Sequence, residues 1–353
     1  MIAHIVPQVY LKSWVNKTKK NAIYVYDKFK FEPELKNLDV LSNTNFQKKN
    51  EYILNIEDCC LEIYSDLFDE LYNQLKNKYY MKYKNKEILS SYSFRNCCRW
   101  LTLENQADWI IVDLNTNNRY KYRSFRQELI EIWNANFQKK IENFFCDKYE
   151  NNWLKFLSYL ENFKFSGSEK MFLLEKNQRD FLIEFLGVQL TRKYGNFNMF
   201  KQIIEFYIKM IGMNTVLNDE IIRKLWLSNI YKYILYKETS DDKYKRNVVN
   251  YMIKHLNSNY ISFEIYMSNS LDFLTSDNPI FRYESKDPAE NDYIYFPINR
   301  KLCLGICSKS SDNEMIKFKK ISAIEVKIIN NLIVEHAEQH FVCYDMKYEE
   351  YII

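Results

Sequence analysis

Ile261-Ser-Phe-Glu-Ile-Tyr-Met267 is the run at which the character of the chain changes. Upstream of it, apolar residues recur every three to four positions over long stretches, which is the helical period. From it onward come short β-like runs, Ile261–Met267, Leu271–Thr275, Tyr293–Phe296 and Leu302–Cys307, with turn residues between them. A last helix at about 322–339 and terminal strands at 341–346 and 349–353 complete this end. Toward the N-terminus the periodicity predicts helices over 125–162, 169–193, 197–213, 217–236 and 242–256. Before these, Leu61, Ile63, Tyr64, Leu67, Phe68, Leu71 and Leu75 mark one helix, and 88–103 a second. Trp109–Asp113 and Arg119–Arg123 read as a hairpin about the turn Asn115–Asn118. At the start, Pro7 suits the first turn of a short helix, with strands at Ile23–Asp27 and Leu38–Leu41. No Pro/Gly/Ser linker and no repeat interrupts the pattern. The expected fold is α+β. It has a predominantly helical centre and a mixed or antiparallel sheet built from N- and C-terminal strands. A single domain spans 1–353, with 80–165 as a helical and hairpin insertion.

The 353 residues include only five glycines, where about 25 would be average. No G-x-G-x-x-G, no G-x-x-x-x-G-K-[ST] and no G-x-S-x-G occurs, so the common glycine-built phosphate cradles and the nucleophile elbow are excluded. Apolar residues make up 47% of the chain and aromatics 17%, enough for a large core. The net charge of +4 assigns no partner by itself. Eight cysteines without a C-x-x-C, two of the pairs adjacent (Cys59-Cys60 and Cys97-Cys98), point to free thiols in a reducing, cytoplasmic setting. The opening MIAHIVPQ has no leader pattern, and no uncharged apolar run reaches membrane-spanning length.

Polar residues at element ends supply the candidate sites. His4 precedes Pro7 at the entry of the first helix, where free N–H groups favour an anion, and Gln8 adds an amide. Gln189 and Arg192 lie three apart on one helix face among apolar neighbours, so the pair needs carboxylate, backbone or anion partners. Leu274-Thr-Ser-Asp-Asn-Pro279 reads as a strand end followed by a loop bearing Ser276, Asp277 and Asn278. Asp277 suits a metal ligand or base, and an Asx turn explains the same pattern. His336 and His340, four apart on the last helix, suit metal chelation, but Ala337 breaks H-E-x-x-H. Lys76–Lys86 and Arg119–Arg126 interleave basic and aromatic residues. As a strand, Arg119, Lys121 and Arg123 would share a face suited to phosphates, with Arg126 beyond it; a solvated basic face explains the same pattern.

Taken in order, these segments resemble one family. His4-Ile-Val-Pro7-Gln8-Val-Tyr10-Leu11-Lys-Ser-Trp14 is similar to the opening of bacterial proteins of the domain of unknown function 4238 family. Gln189-Leu-Thr-Arg192 resembles that family's Gln-x-x-Arg, and Thr275–Pro279 matches its Thr-Ser-Asp-Asn-Pro motif. Pro297–Cys303 resembles its Pro-rich segment with a following strand, and Asn331 its final Asn-containing helix. The resemblance spans residues 4 to about 340 and implies that His4, Gln8, Gln189, Arg192, Asp277 and Asn278 converge.

Two functional expectations follow. One is a phosphodiesterase- or nuclease-like effector of toxin or phage-defence type. There His4, Asp277 and Arg192 would be catalytic, Asp277 and His4 would hold Mg²⁺ or Mn²⁺, and Gln8, Gln189, Ser276 and Asn278 would bind ligand. Arg119, Lys121, Arg123 and Arg126 would steer a nucleic acid or nucleotide. The other is a non-catalytic module binding a phosphorylated ligand, nucleic acid or protein. A third reading is structural, with the motifs fastening the N-terminal helix to the C-terminal sheet.

Overall fold

Pro7 has no N–H to leave unpaired, and the helix begins directly after it. The computed structural model describes residues 2–4, 6–16, 18, 21–38, 47–49, 54–192, 201, 205, 218–239, 245–258, 261–283, 293–307 and 315–353. After strand β1 (Ile2–His4) comes α1 (Gln8–Leu11), extended by a 3-10 turn to Trp14, with Tyr10, Leu11 and Trp14 buried. Strands β2 (Ala22–Asp27), β3 (Pro33–Asn37) and β4 (Gln47–Lys49) follow. The strand expected at Leu38–Leu41 lies outside the described residues beyond Leu38. Next come α2 (Ser65–Leu75), β5 (Tyr79–Tyr83), β6 (Lys86–Glu87), α3 (Ser91–Cys98), β7 (Trp109–Asp113) and β8 (Asn118–Arg119).

The expected hairpin is shorter than its sequence suggests. Its second strand ends at Arg119, and α4 (Tyr122–Phe145) begins three residues later. The cause is the apolar stripe Phe125, Leu129, Trp133, Phe137 and Ile141, spaced every fourth residue and fully buried, which recruits Tyr122 and Arg123 into the helix. Arg119, Lys121 and Arg123 are exposed but do not form one strand face.

The expected helix 125–162 is divided. An i→i+5 turn at Cys146–Glu150 separates α4 from α5 (Asn151–Glu161). Strand β9 (Glu169–Leu173) occupies the start of the expected helix 169–193, so α6 covers only Lys176–Arg192. The helix expected at 197–213 lies almost wholly outside the described residues. Helices α7 (Asp219–Thr239) and α8 (Val248–Leu256) lead to β10 (Ser262–Ser268), β11 (Thr275–Ser276), β12 (Phe281–Tyr283), β13 (Tyr293–Asn299), β14 (Leu302–Cys307) and β15 (Met315–Ile321). Helix α9 (Ala323–His336) begins with a capping box between Ser322 and Glu325, and β16 (His340–Cys343) follows it. The final strand expected at 349–353 is a 3-10 turn, Tyr348–Glu350.

The chain divides into two units, Met1–Ala3 with Lys49–Asn143, and His4–Lys48 with Phe144–Ile353. In the first, the antiparallel sheet β6-β5-β7-β8 accompanies α2, α3 and most of α4. Trp133 anchors its core, 4.9 Å from Phe68 between ring centroids and donating its indole N–H to the Leu54 carbonyl. The second unit holds two larger sheets, β12-β13-β14-β10-β15-β9 and β11-β16-β2-β3. The six-stranded sheet is antiparallel apart from the β10–β15 pair. The four-stranded sheet joins the two ends of the chain: β2 and β3 come from the N-terminal side, β11 and β16 from the C-terminal side. This is the α+β arrangement with its sheet drawn from both termini.

Candidate functional site

Strand register places the polar residues of the second unit. In the four-stranded sheet Val342 stands opposite Thr275 on β11 and opposite Val25 on β2, and His340 stands opposite Asp27. Continuing the β11–β16 pairing, the Asp277 N–H donates to the His340 carbonyl at 2.9 Å. Directly opposed residues share a face, so Asp277, His340 and Asp27 form one transverse row. Tyr26 and Phe341 take the other face and stack at 5.0 Å in the core.

Asp277 is fully buried, and its carboxylate accepts three backbone N–H bonds. Glu338 donates to Oδ1 at 2.8 Å, while Gln339 and His340 donate to Oδ2 at 3.0 Å each. The residue expected to bind a metal thus holds the loop between α9 and β16. Among the described residues no group of three or more His, Cys, Asp or Glu stands close enough to hold a metal ion. N–H groups take three of the roughly four lone-pair positions of the Asp277 carboxylate, which is how it fastens this loop.

The histidine beside Asp277 is His340, whose Nδ1 lies 3.8 Å from Asp277 Oδ2. His340 is 8% exposed and borders a polar cleft of ≈ 260 Å³. Asp27, Lys30, Glu34 and Lys36 line this cleft with Gln339. Asp27 is held below the usual carboxylate range, first by the N–H of Phe29. Lys36 pairs with Glu34. His336 and His340 do not share a helix. α9 ends at His336, whose ring stacks on Phe281 at 4.7 Å with Nδ1 2.9 Å from the Leu332 carbonyl. The break comes from the extended backbone of Ala337 (φ −57, ψ 141).

The other expected residues have separate partners. Asn278 donates to the His336 carbonyl at 3.1 Å, and the buried Ser276 hydroxyl accepts the Asn278 N–H at 3.2 Å. Gln8 donates to the Leu38 carbonyl at 2.7 Å. The backbone of His4 belongs to β1; its side chain lies outside the described residues. Gln189 is buried in α6, and Arg192 is wholly buried, 2.8 Å from Glu150 Oε1 and 4.6 Å over the Phe145 ring. The wide turn at Cys146–Glu150 delivers Glu150 to this pairing. Arg126, expected to face a nucleic acid, instead donates to the Leu101 carbonyl and to Glu57.

Three residues outside the expected set tie the motifs together. The Tyr10 hydroxyl is 2.6 Å from Thr275 Oγ1 and donates to the Pro297 carbonyl at 2.6 Å, which links three of the motif segments. Burial raises the Tyr10 pKa well above its ordinary value, so the hydroxyl keeps its proton. Trp14 donates to the Phe273 carbonyl at 2.8 Å. On α9 the buried asparagine is Asn330 rather than Asn331. It accepts the Leu274 N–H at 2.9 Å and donates to the carbonyls of Asp272 and Tyr351. A polar residue inside the apolar stripe Val326, Ile329, Ile333 was the signal for it.

All eight cysteines are free thiols, and burial pushes Cys60 and Cys343 up to about 12, which suppresses their thiolates. Among the described residues no helix is long and apolar enough to cross a membrane. Neither the curated proteins nor the solved structures contain a match to the chain. The family model described as "Protein of unknown function (DUF4238)" matches residues 3–347, and the chain belongs to that family.

Proposed function

We propose that the protein is a hydrolase of the phosphodiesterase or nuclease class whose proton-transfer group is His340, positioned by Asp277. The observation that carries this reading is the 3.8 Å approach of a fully buried carboxylate to a histidine at the edge of a polar cleft. A buried carboxylate fixed by three N–H bonds and 3.8 Å from the imidazole nitrogen can help to hold the ring's orientation. Lys30 at the same cleft can answer charge developing on a phosphoryl oxygen. Exposed Arg119, Lys121 and Arg123 would add sequence-independent attraction to phosphates.

A non-catalytic binding module is the second reading. It is favoured by the structural use of the Asp277 carboxylate and by the three acids against two lysines around the cleft. One experiment separates the two. The purified protein is assayed on RNA, DNA and bis-p-nitrophenyl phosphate, with and without added Mg²⁺ or Mn²⁺, beside His340→Ala. Loss of about 100-fold or more in kcat at unchanged thermal stability is the result expected for a proton-transfer residue. Asp277→Asn should lower kcat more than it raises KM. Binding without turnover in the unmodified protein would establish the second reading.

A further inference from the structure

We infer that the first unit carries a binding cleft for a small zwitterion of the α-amino acid class, between α2 and α3. The cleft has a volume of ≈ 450 Å³, within the range of about 300–1,000 Å³ usual for small-ligand sites. It shares no lining residue with the His340 cleft.

Helical spacing builds the two walls. Ser65, Phe68 and Asp69 stand at i, i+3 and i+4 on α2. Ser91, Tyr92 and Arg95 come from the first turns of α3, whose start is fixed by Ser90 accepting the Ser93 N–H. Phe68 is buried at the base, and Tyr92 is 65% exposed at the edge. These two rings give an apolar body somewhere to rest.

The charges are arranged unusually. Arg95 Nε is buried and has no hydrogen-bond partner, and among the described residues no carboxylate lies within ion-pair distance of its guanidinium. Its plane packs over Tyr92, 5.4 Å from the ring centroid. A donor left without an acceptor is destabilising, and the half-buried guanidinium that lines the cleft favours an entering oxyanion. Glu62 and Asp69 line the same cleft but are exposed, at its rim. The cleft therefore presents a half-buried positive group beside exposed negative groups. A simple phosphate would meet two carboxylates, and a simple amine would leave Arg95 unanswered. A molecule bearing both a carboxylate and an ammonium satisfies both ends, with its side chain against Phe68 and Tyr92.

Isothermal titration of the intact protein with L-phenylalanine and L-leucine, and with phenethylamine and 3-phenylpropionate, tests this. Saturable binding of at least one amino acid is expected, with each singly charged analogue about tenfold weaker or worse, because a charge-assisted contact is lost. Arg95→Gln and Glu62→Gln should each weaken amino-acid binding by about tenfold, with Arg95→Lys intermediate because it keeps charge but not the forked geometry. Melting curves of the variants report that they remain folded. Absence of saturable binding by both amino acids would overturn the inference. So would 3-phenylpropionate binding as tightly as L-phenylalanine, or Arg95→Gln binding unchanged.

Discussion

Asp277 and His340 are joined twice over. The Asp277 backbone N–H donates to the His340 carbonyl at 2.9 Å, and the His340 N–H returns a bond to Asp277 Oδ2 at 3.0 Å. The side chains then meet at 3.8 Å. Truncation of Asp277 thus removes an acceptor for three buried or half-buried donors. Asp277→Ala is expected to destabilise the protein by roughly 3–5 kcal/mol, read from urea denaturation midpoints. Asp277→Asn, which keeps one carboxamide oxygen, should fall between. An unchanged midpoint in Asp277→Ala would show that the loop from Ala337 to His340 holds itself.

Tyr10 makes a narrower prediction. Tyr10→Phe keeps the ring stacked on Phe296 at 5.2 Å but removes the hydroxyl that serves both Thr275 and Pro297. A loss of about 1–3 kcal/mol is expected, because buried polar partners are left unpaired. A double-mutant cycle with Thr275→Val should show coupling of about 0.5 kcal/mol or more. Additive effects would mean that the Tyr10–Thr275 contact contributes nothing of its own.

The few glycines include one that the packing requires. A Cβ on Gly187 of α6 would come within 2.6 Å of Ile253 Cγ1 and 3.4 Å of the Ile253 backbone nitrogen on α8. Gly187→Ala gains helix propensity yet overfills this contact, and a net loss of about 1–3 kcal/mol is expected from thermal melts. Pairing it with Ile253→Ala should recover part of the loss relative to the sum of the two single changes. Stabilisation by Gly187→Ala alone would show that α6 and α8 can separate without penalty.

Acid titration offers a fourth check. The Ser322 N–H lowers the Glu325 pKa below its ordinary 4.5, with lesser help from the Ser322 hydroxyl and Lys319. A depressed carboxylate contributes stability above its unfolded-state value, and that contribution is lost as pH falls through the lower folded value. Glu325→Gln should therefore flatten the stability–pH profile below about pH 4.5 and leave its alkaline side unchanged. Identical acid limbs in the two proteins would count against the capping box.

Some of this molecule was legible in its residues and some was not. The apolar stripe of α4 announced a helix, and Thr275–Pro279 announced a strand end, because both signals are local. Arg119 to Arg123 alternated like a strand, yet Phe125 and Leu129 extend the helical stripe toward it, and burial of that stripe outweighed two more residues of strand pairing. His336 and His340 looked like helical neighbours, but spacing alone did not show that the chain turns extended at Ala337. Asn331 was the asparagine singled out by resemblance, whereas Asn330 faces the core.

The sequence by itself determined the α+β class and the membership of the family. Composition, periodicity and motif order carry both without reference to distant contacts. Only the tertiary structure decided what Asp277 and Arg192 do. Asp277 meets donors 61 to 63 residues away, and Arg192 meets a carboxylate 42 residues away. The identity of such partners depends on strand register and on a single wide helical turn. Each of these is set by the packing of the whole unit, since a register shift of one residue would turn His340 to the opposite face of its sheet.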